Sequence, residues 1–375
     1  MLPYGRQSID ESDVAAVSEV LRGDWLTTGP AVTAFETEVS RRVGGHPVVS
    51  CTSGTAALHI AYAALDLRPG DQVVTTPMTF VATASGASLA GGDVVFADVE
   101  EDTANLDPAA VEALVNERTR VVAAVDYAGH PCEYDALGAL AGTVGALTLA
   151  DAAHSFGGSY RGRPVGDLAD ITTMSFFPTK NLTTGEGGAV IAQDPDLARR
   201  AAEFHNIGLV RDPERFELTS DGPWHQEVQA FGVNYRLTDM ASALGLSQLH
   251  RLDGFKVRRK EIVDLYNAGL AGVEGVRTPV QRPDVDPMWH LYAVRILDGR
   301  RREVYDRMRA SGIGVQVNYL PVYWHPVYAR MGYRRGMCPV AERFYAEQLS
   351  LPLFPAMSDH DVDRVIDTLS SVLGG

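Results

Sequence analysis

Between residues 48 and 192 the chain alternates short, uniformly apolar runs rich in Val and Thr with stretches of helical composition, and this alternation restricts the fold more than any other feature. "HPVVSCTSG" leads into "TAALHIAYAALDL", "DVVFADV" into "DPAAVEALVNE", and "RVVAAVDYA" into a helix near Tyr134–Thr143; "QVVTTPMTF", "ALTLADAAH", "ITTMSFFPTK" and "GGAVIAQD" supply further strands. Strands interleaved with helices predict an α/β fold with a mostly parallel sheet and helices on both faces. Runs that are apolar at every position, rather than alternating, suit strands buried on both sides.

Upstream, "DESDVAAVSEVLRG" predicts a helix from Asp10 to Gly23, with acidic residues in its first turn and a glycine stop. From about Leu237 a long helical pattern, "TDMASALGLSQLHRLDGFKVRRKEIVDLYNAGL", carries the chain away from the sheet. Strands near "WHLYAVRIL" and "IGVQVNYLP" and helices near "RREVYDRMRASG" and "CPVAERFYAEQLS" then predict a second lobe. The expected division is a large lobe over 1–250, including the N-terminal helical segment, and a smaller C-terminal lobe over 251–375, with a ligand site between them.

Charge and cysteine content exclude several classes of partner. Lys and Arg number 33 against 48 Asp and Glu, a net charge of −15, which disfavours nucleic acid or an anionic membrane as the main partner. Cys51, Cys132 and Cys338 are far apart and form no C-x-x-C pair, so neither a disulfide framework nor a cysteine metal site is expected, and a reducing cytoplasm fits. "MLPYGRQSID" has no basic and apolar leader pattern, and no apolar run approaches the roughly 18 residues of a membrane span.

In an open parallel sheet, ligands bind beyond the carboxyl ends of the strands. Those ends carry Ser53-Gly54-Thr55-Ala56, Thr79-Phe80, Asp151 with His154, and Ser175 with Lys180. "CTSGTAALHI" is a strand end, a glycine turn and a helix start; it reads either as a capped βα turn or as a phosphate site formed by free amides. Asp151, placed straight after an apolar strand, is either a structural cap or ion pair or the partner of a cationic ligand group. His154 reads as a core histidine or a site residue. Lys180 follows a strand, two phenylalanines and Pro178, and is either a solvated loop charge or an amine whose apolar surroundings lower its pKa and make it reactive toward carbonyls. An amine, a carboxylate for a pyridinium nitrogen and a phosphate nest together make the constellation for pyridoxal phosphate.

Longer stretches sharpen this reading: "PYGRQSID", "WLTTGPAVTAFE", "TSGTAALHIA", "GDQVVTTPMTFVAT", "DYAGHPCEYD", "ADAAHSFGGSY", "SFFPTKNLTTGEGG", "FGVNYRLTDMASALGLSQL", "GIGVQVNYLPV" and "LSLPLFPAMSD". In this order they resemble the sugar aminotransferases of the DegT/DnrJ/EryC1/StrS family over nearly the whole chain. The resemblance implies the fold-type I, aspartate aminotransferase-like architecture. It is strongest toward the branch that aminates C4 of nucleotide-linked 4-keto-6-deoxy sugars, including the enzyme of pseudaminic acid synthesis.

Carried over residue by residue, the resemblance implies that Lys180 forms the internal aldimine with pyridoxal 5'-phosphate and later moves the proton. Asp151 would face the ring nitrogen, His154 the phenolic oxygen, and Phe80 would stack on the ring. Thr55, Ala56 and Ser175 would hold the phosphate, joined by Asn234 from the other subunit of a homodimer with shared sites. For the sugar nucleotide the matching positions are Thr27 to Gly29, Arg236, Tyr319 and His325. L-glutamate would be the amino donor and a UDP- or dTDP-linked 4-keto-6-deoxyhexose the acceptor. Near relatives often carry histidine at Asn318 and Tyr323, which leaves room for a 3-keto nucleotide sugar or a keto-cyclitol. The family's C3 dehydratases have histidine in place of the lysine at position 180; a non-catalytic binding or regulatory relative would not need the Lys180, Asp151 and Ser175 set.

Overall fold

The structure is a computed structural model and describes residues 1–374. Seven short strands form the main sheet: β1 (Val48–Cys51), β2 (Gln72–Thr75), β3 (Asp93–Phe96), β4 (Thr119–Val125), β5 (Leu147–Asp151), β6 (Ile171–Ser175) and β7 (Gly188–Ala192). Their order across the sheet is β1-β7-β6-β5-β4-β2-β3. Pairing is parallel from β3 through β6, and β7 alone runs against its two neighbours, because a tight return after Lys180 brings it back beside β6. The mostly parallel α/β sheet predicted from the sequence is therefore present.

Register decides where the chemistry falls. Val125 pairs with Asp151 and Asp151 with Thr173, so β4 and β5 finish level and β6 runs two residues further, to Ser175. Apolar clusters cover both faces: one contains Ile60, Tyr62, Val73 and Leu149, the other Phe35, Val74, Ala150 and Met174. Adjacent residues of one strand thus enter different clusters, as two-sided burial requires.

Helices α1 (Glu11–Arg22) and α2 (Pro30–Arg42) precede the sheet, and α3 (Gly54–Ala64), α4 (Ala82–Leu89), α5 (Tyr134–Thr143) and α6 (Pro195–His205) accompany it. Asp10 caps α1 in a capping box with Asp13, and Ser53 caps α3. The helix expected at "DPAAVEALVNE" shrinks to the single turn Pro108–Glu112. The long helical pattern after Leu237 is two helices, α7 (Asp239–Leu249) and α8 (Leu252–Gly269), with the break at His250 and Arg251.

Helix α8 reaches two apolar cores. Leu252 sits in a cluster of the main sheet, whereas Ile262, Val263 and Tyr266 enter a separate core with Tyr292, Val304, Leu349 and Val365. That core joins β8 (Val276–Arg277), β9 (Tyr292–Ile296) and β10 (Gln348–Leu351) to α9 (Arg301–Ala310) and α11 (Asp359–Gly374). Helix α10 (Pro339–Glu347) instead packs Ala341 and Phe344 against the main-sheet core. "IGVQVNYLP" is not a strand; Ile313 pairs with Leu2 and Gln316 with Ser350 as isolated bridges, and the segment then runs toward the sheet's carboxyl edge. No described helix is long and apolar enough to cross a membrane.

Candidate active site

The carboxyl ends of β1, β4, β5 and β6 open into a cavity of about 560 Å³, closed on the other side by Tyr4, His290, Asn318 and Tyr319. Thr55, Phe80, Asp151, His154, Ser175, Lys180 and Tyr319, all singled out from the sequence, line it. Among the described residues Lys180 is the one lysine or arginine on its wall.

Asp151 is buried, and its Oδ2 accepts a 2.6 Å hydrogen bond from the Thr83 hydroxyl on α4. Thr79 in turn lies 2.7 Å from Thr83, so the two hydroxyls form a relay onto the carboxylate. Oδ1 accepts from the Ala153 amide at 3.2 Å. Burial pushes the Asp151 carboxyl above its ordinary range, and the Thr83 and Ala153 bonds pull it back down. A cationic ring nitrogen beside it would stabilise the ionised form.

Lys180 is held by a loop with little freedom. The Thr184 amide returns to the Phe176 carbonyl at 3.0 Å, the Thr183 hydroxyl binds the same carbonyl at 3.0 Å, and Asn181 donates to the His154 carbonyl at 2.6 Å. Burial brings the Lys180 amine down from 10.5 to about 8, with Asp151 acting against the shift. At pH 7.5 about a quarter of such amines are neutral, against about one in a thousand for an ordinary lysine. The apolar surroundings therefore outweigh the attraction of the carboxylate, and the amine is a nucleophile at neutral pH.

The α3 N-terminus carries both meanings read from the sequence. Ser53 Oγ accepts from the Ala56 amide at 3.1 Å, so the helix cap engages that amide. The amides of Gly54 and Thr55, the first two of the helix, have no acceptor within it. A Cβ on Gly54 would lie 2.7 Å from the Ser175 Cβ, so glycine is what lets the helix end and Ser175 form one cradle. Free amides, a dipole end, a hydroxyl, a buried carboxylate and an amine in one cavity fit pyridoxal phosphate group by group.

Other predicted positions lie elsewhere in this chain. Gly29 is the cap residue before α2: its amide donates to Asp239 at 2.8 Å, and a Cβ there would lie 2.5 Å from that of Trp25. Thr27 pairs with Thr238, Asn234 with Asn206, and Arg236 with Cys51, while the Arg236 guanidinium binds Asn206 Oδ1 at 2.5 Å. His325 begins the short helix Pro326–Arg330. Tyr323 is buried, donates to Glu342 at 2.7 Å and packs on Phe96, so it belongs to the core rather than to the cavity. Tyr4, Glu186, His290 and Asn318 line the cavity without having been assigned there from the sequence; Asn318 had been noted for its departure from the family pattern.

This fold, with a lysine, a carboxylate and free amides in one cavity, is that of a fold-type I pyridoxal phosphate-dependent enzyme. Residues 7–370 match the DegT/DnrJ/EryC1/StrS aminotransferase family, and the chain belongs to it as a sugar aminotransferase. It is 38% identical to the spore coat polysaccharide biosynthesis protein SpsC of Bacillus subtilis (strain 168), over 100% of this chain and 97% of that protein. The putative sugar aminotransferase Spr1654 from Streptococcus pneumoniae, in its PMP form, superposes with a TM-score of 0.94 at 28% identity, covering 100% of this chain and 99% of that one. Helicobacter pylori PseC, an aminotransferase involved in pseudoaminic acid biosynthesis, gives 0.93 at 28% identity with the same coverage of both chains. Spr1654 is also known in a PLP form, which agrees with the cofactor that the cavity fits.

Proposed function

We propose that the protein transfers an amino group from L-glutamate to the C4 keto group of a UDP- or dTDP-linked 4-keto-6-deoxyhexose. The observation that carries the amino transfer is the meeting of Lys180, Asp151 and the Gly54–Ser175 cradle in one cavity. The likeness to PseC and SpsC supports a sugar as acceptor.

Bound pyridoxal phosphate supplies the aldehyde that takes up the amine and the ring that takes up electrons. The chain does the rest. Asp151 holds the proton on the ring nitrogen, and its own charge is fixed by Thr83. Lys180 Nζ, neutral in a useful fraction, takes the proton from the donor carbon and later returns one to the acceptor carbon. His154 Nε2 and the Tyr319 hydroxyl, 3.1 Å apart, present a hydrogen-bonding edge to the cavity that would hold the cofactor. The 58% exposed Phe80 ring, edge-on to Tyr319 at 6.2 Å, gives an aromatic face at the mouth.

Two anionic substrates need cations or amides, and one chain's cavity offers no guanidinium among its described lining residues. We therefore propose a homodimer in which Asn234, Arg236 and the Thr27–Gly29 turn of one subunit complete the site of the other. The surface carrying these residues also exposes Trp25 and Leu26, and Phe231 is 98% exposed. Free aromatic side chains flanking unassigned polar ones fit a face covered by a second copy.

The pH dependence of loading follows from the amine. Cofactor-free protein should gain its visible band from added pyridoxal phosphate at a rate that climbs with pH and levels off near 8, as Lys180 loses its proton. Stopped-flow absorbance would read this; a rate still climbing near 10 would mean an ordinary lysine. The acceptor is tested by supplying glutamate with a panel of 4-keto and 3-keto nucleotide sugars and keto-cyclitols, and identifying products by NMR. Amination at C4 is expected. Turnover confined to 3-keto sugars or cyclitols would replace the acceptor, and a wild type indifferent to pyridoxal phosphate would remove the enzyme reading.

A further inference from the structure

His290 is buried on the cavity wall, and no step above uses it. Backbone pairing between the lobes sets its position. Its amide donates to the Ala128 carbonyl at 2.8 Å, and the Met288 amide donates to that of Gly129 at 3.1 Å. Gly129 has φ +94°, and a Cβ there would collide with the Met288 carbonyl, so the close approach of the two backbones depends on glycine. Held in this way, the His290 ring packs on His154 with centroids 4.3 Å apart and planes tilted by 33°. Tyr319 lies 6.1 Å from the same His154 ring, stacked at 21°. The Nδ1 atoms of both histidines are buried without a hydrogen-bond partner among the described residues.

We propose that His290 is a positioning residue whose packing keeps His154 dry and uncharged, so that His154 meets the cofactor and Tyr319 as a neutral hydrogen-bonding group and not as a second cation beside Lys180. The inference rests on the reading of the cavity as the cofactor site. The titratable groups around the pair are Lys180, Tyr319, Tyr4 and Asp151 on the cavity wall, and Arg259, whose guanidinium holds the Trp289 carbonyl at 3.2 Å. Burial holds His154 well below the ordinary histidine value, and Lys180 adds to the effect. For His290 burial again comes first, followed by His154, Lys180 and Arg259. Both rings are therefore neutral, and each contributes to the other's exclusion of water. Removing the His290 ring opens room for water next to the unpartnered Nδ1 of His154 and weakens the larger of its two causes.

The test is a pH titration of the histidine ring resonances in the full chain, with and without pyridoxal phosphate, together with the pH midpoint of the cofactor's visible band. Wild-type His154 should be silent from about pH 5.5 to 8.5, the range in which an ordinary histidine titrates. In His290→Ala and His290→Gln the His154 signal should titrate inside that range. The visible band's midpoint should fall by about 0.5 units or more, because a new cation opposes the proton at Lys180. His290→Phe, which keeps the packing without a second imidazole, should restore both behaviours. His154 silent in the Ala and Gln variants, or titrating in the Phe variant or the wild type, would overturn the proposal. The Gln variant decides if the Ala variant does not fold. A wild type that never develops the band would instead refute the cofactor reading, and the cofactor-free titration would still decide the role of His290.

Discussion

Lys180→Ala protein mixed with pyridoxal phosphate should stay colourless, fail to respond to glutamate, and lose roughly 10⁴-fold or more in turnover. The size of the loss combines a covalent attachment with the 10²–10⁴ that a positioned acid–base group contributes. The loop around this side chain is tied by the residues that follow it, Asn181, Thr183 and Thr184, and not by the amine. The variant should therefore melt near the wild type, and absorbance with circular dichroism would separate chemistry from folding. The same variant tests the shared site. Mixed with Asn234→Ala chains, it should regain activity, since one of the two sites in each mixed dimer would then draw Lys180 and Asn234 from intact copies. Mixtures no more active than the separate variants would argue against Asn234 reaching across.

Asp151→Asn should keep the cavity shape and one of the two hydrogen bonds that the carboxylate accepts, from Thr83 or from Ala153, but lose about 10²–10³ in kcat at saturating cofactor, the order of the cost of removing one preorganised partner. A loss seen in KM alone would mean that the carboxylate only helps binding. The cofactor-free variant should also melt higher than the wild type. Burial raises the Asp151 carboxyl, so the ionised form opposes folding, increasingly so as pH rises through its folded pKa. A neutral amide escapes that cost, and the stability given up for an ionised carboxylate would be the counterpart of its catalytic use. Steady-state kinetics and thermal melts at pH 7.5 would measure both effects.

Much of this site was legible because a parallel sheet advertises its working edge. Asp151, Ser175 and Lys180 come where uniformly apolar runs stop, and Thr55 comes where a glycine joins a strand to a helix; each is a local signal that register then brings together. Tyr4 and His290 gave no such signal. Both sit among apolar neighbours in sequence and reach the cavity only through pairings between distant parts of the chain, Tyr4 through the Leu353 amide and His290 through Ala128. The segment after Ile313 alternates as a strand does, yet it finds partners at isolated points and then follows the cavity wall. The break between α7 and α8 carries neither glycine nor proline and was invisible to pattern. Helix α2 did leave a mark, Gly29-Pro30, with proline at the first helical position where a missing amide costs nothing. Of the positions expected to hold the sugar nucleotide, Tyr319 lines the cavity, whereas Thr27, Gly29, Arg236 and His325 do not.

The clamp between residues 128–129 and 288–290 also bears on how the protein is made. A ribosome delivers Asp151, Ser175 and Lys180 more than a hundred residues before His290, and Asn318 and Tyr319 come later still. Burial is what lowers the Lys180 amine, and these later residues supply part of the wall that buries it. The lowered amine is therefore a property of the whole assembled cavity, whose lining runs from Tyr4 to Tyr319.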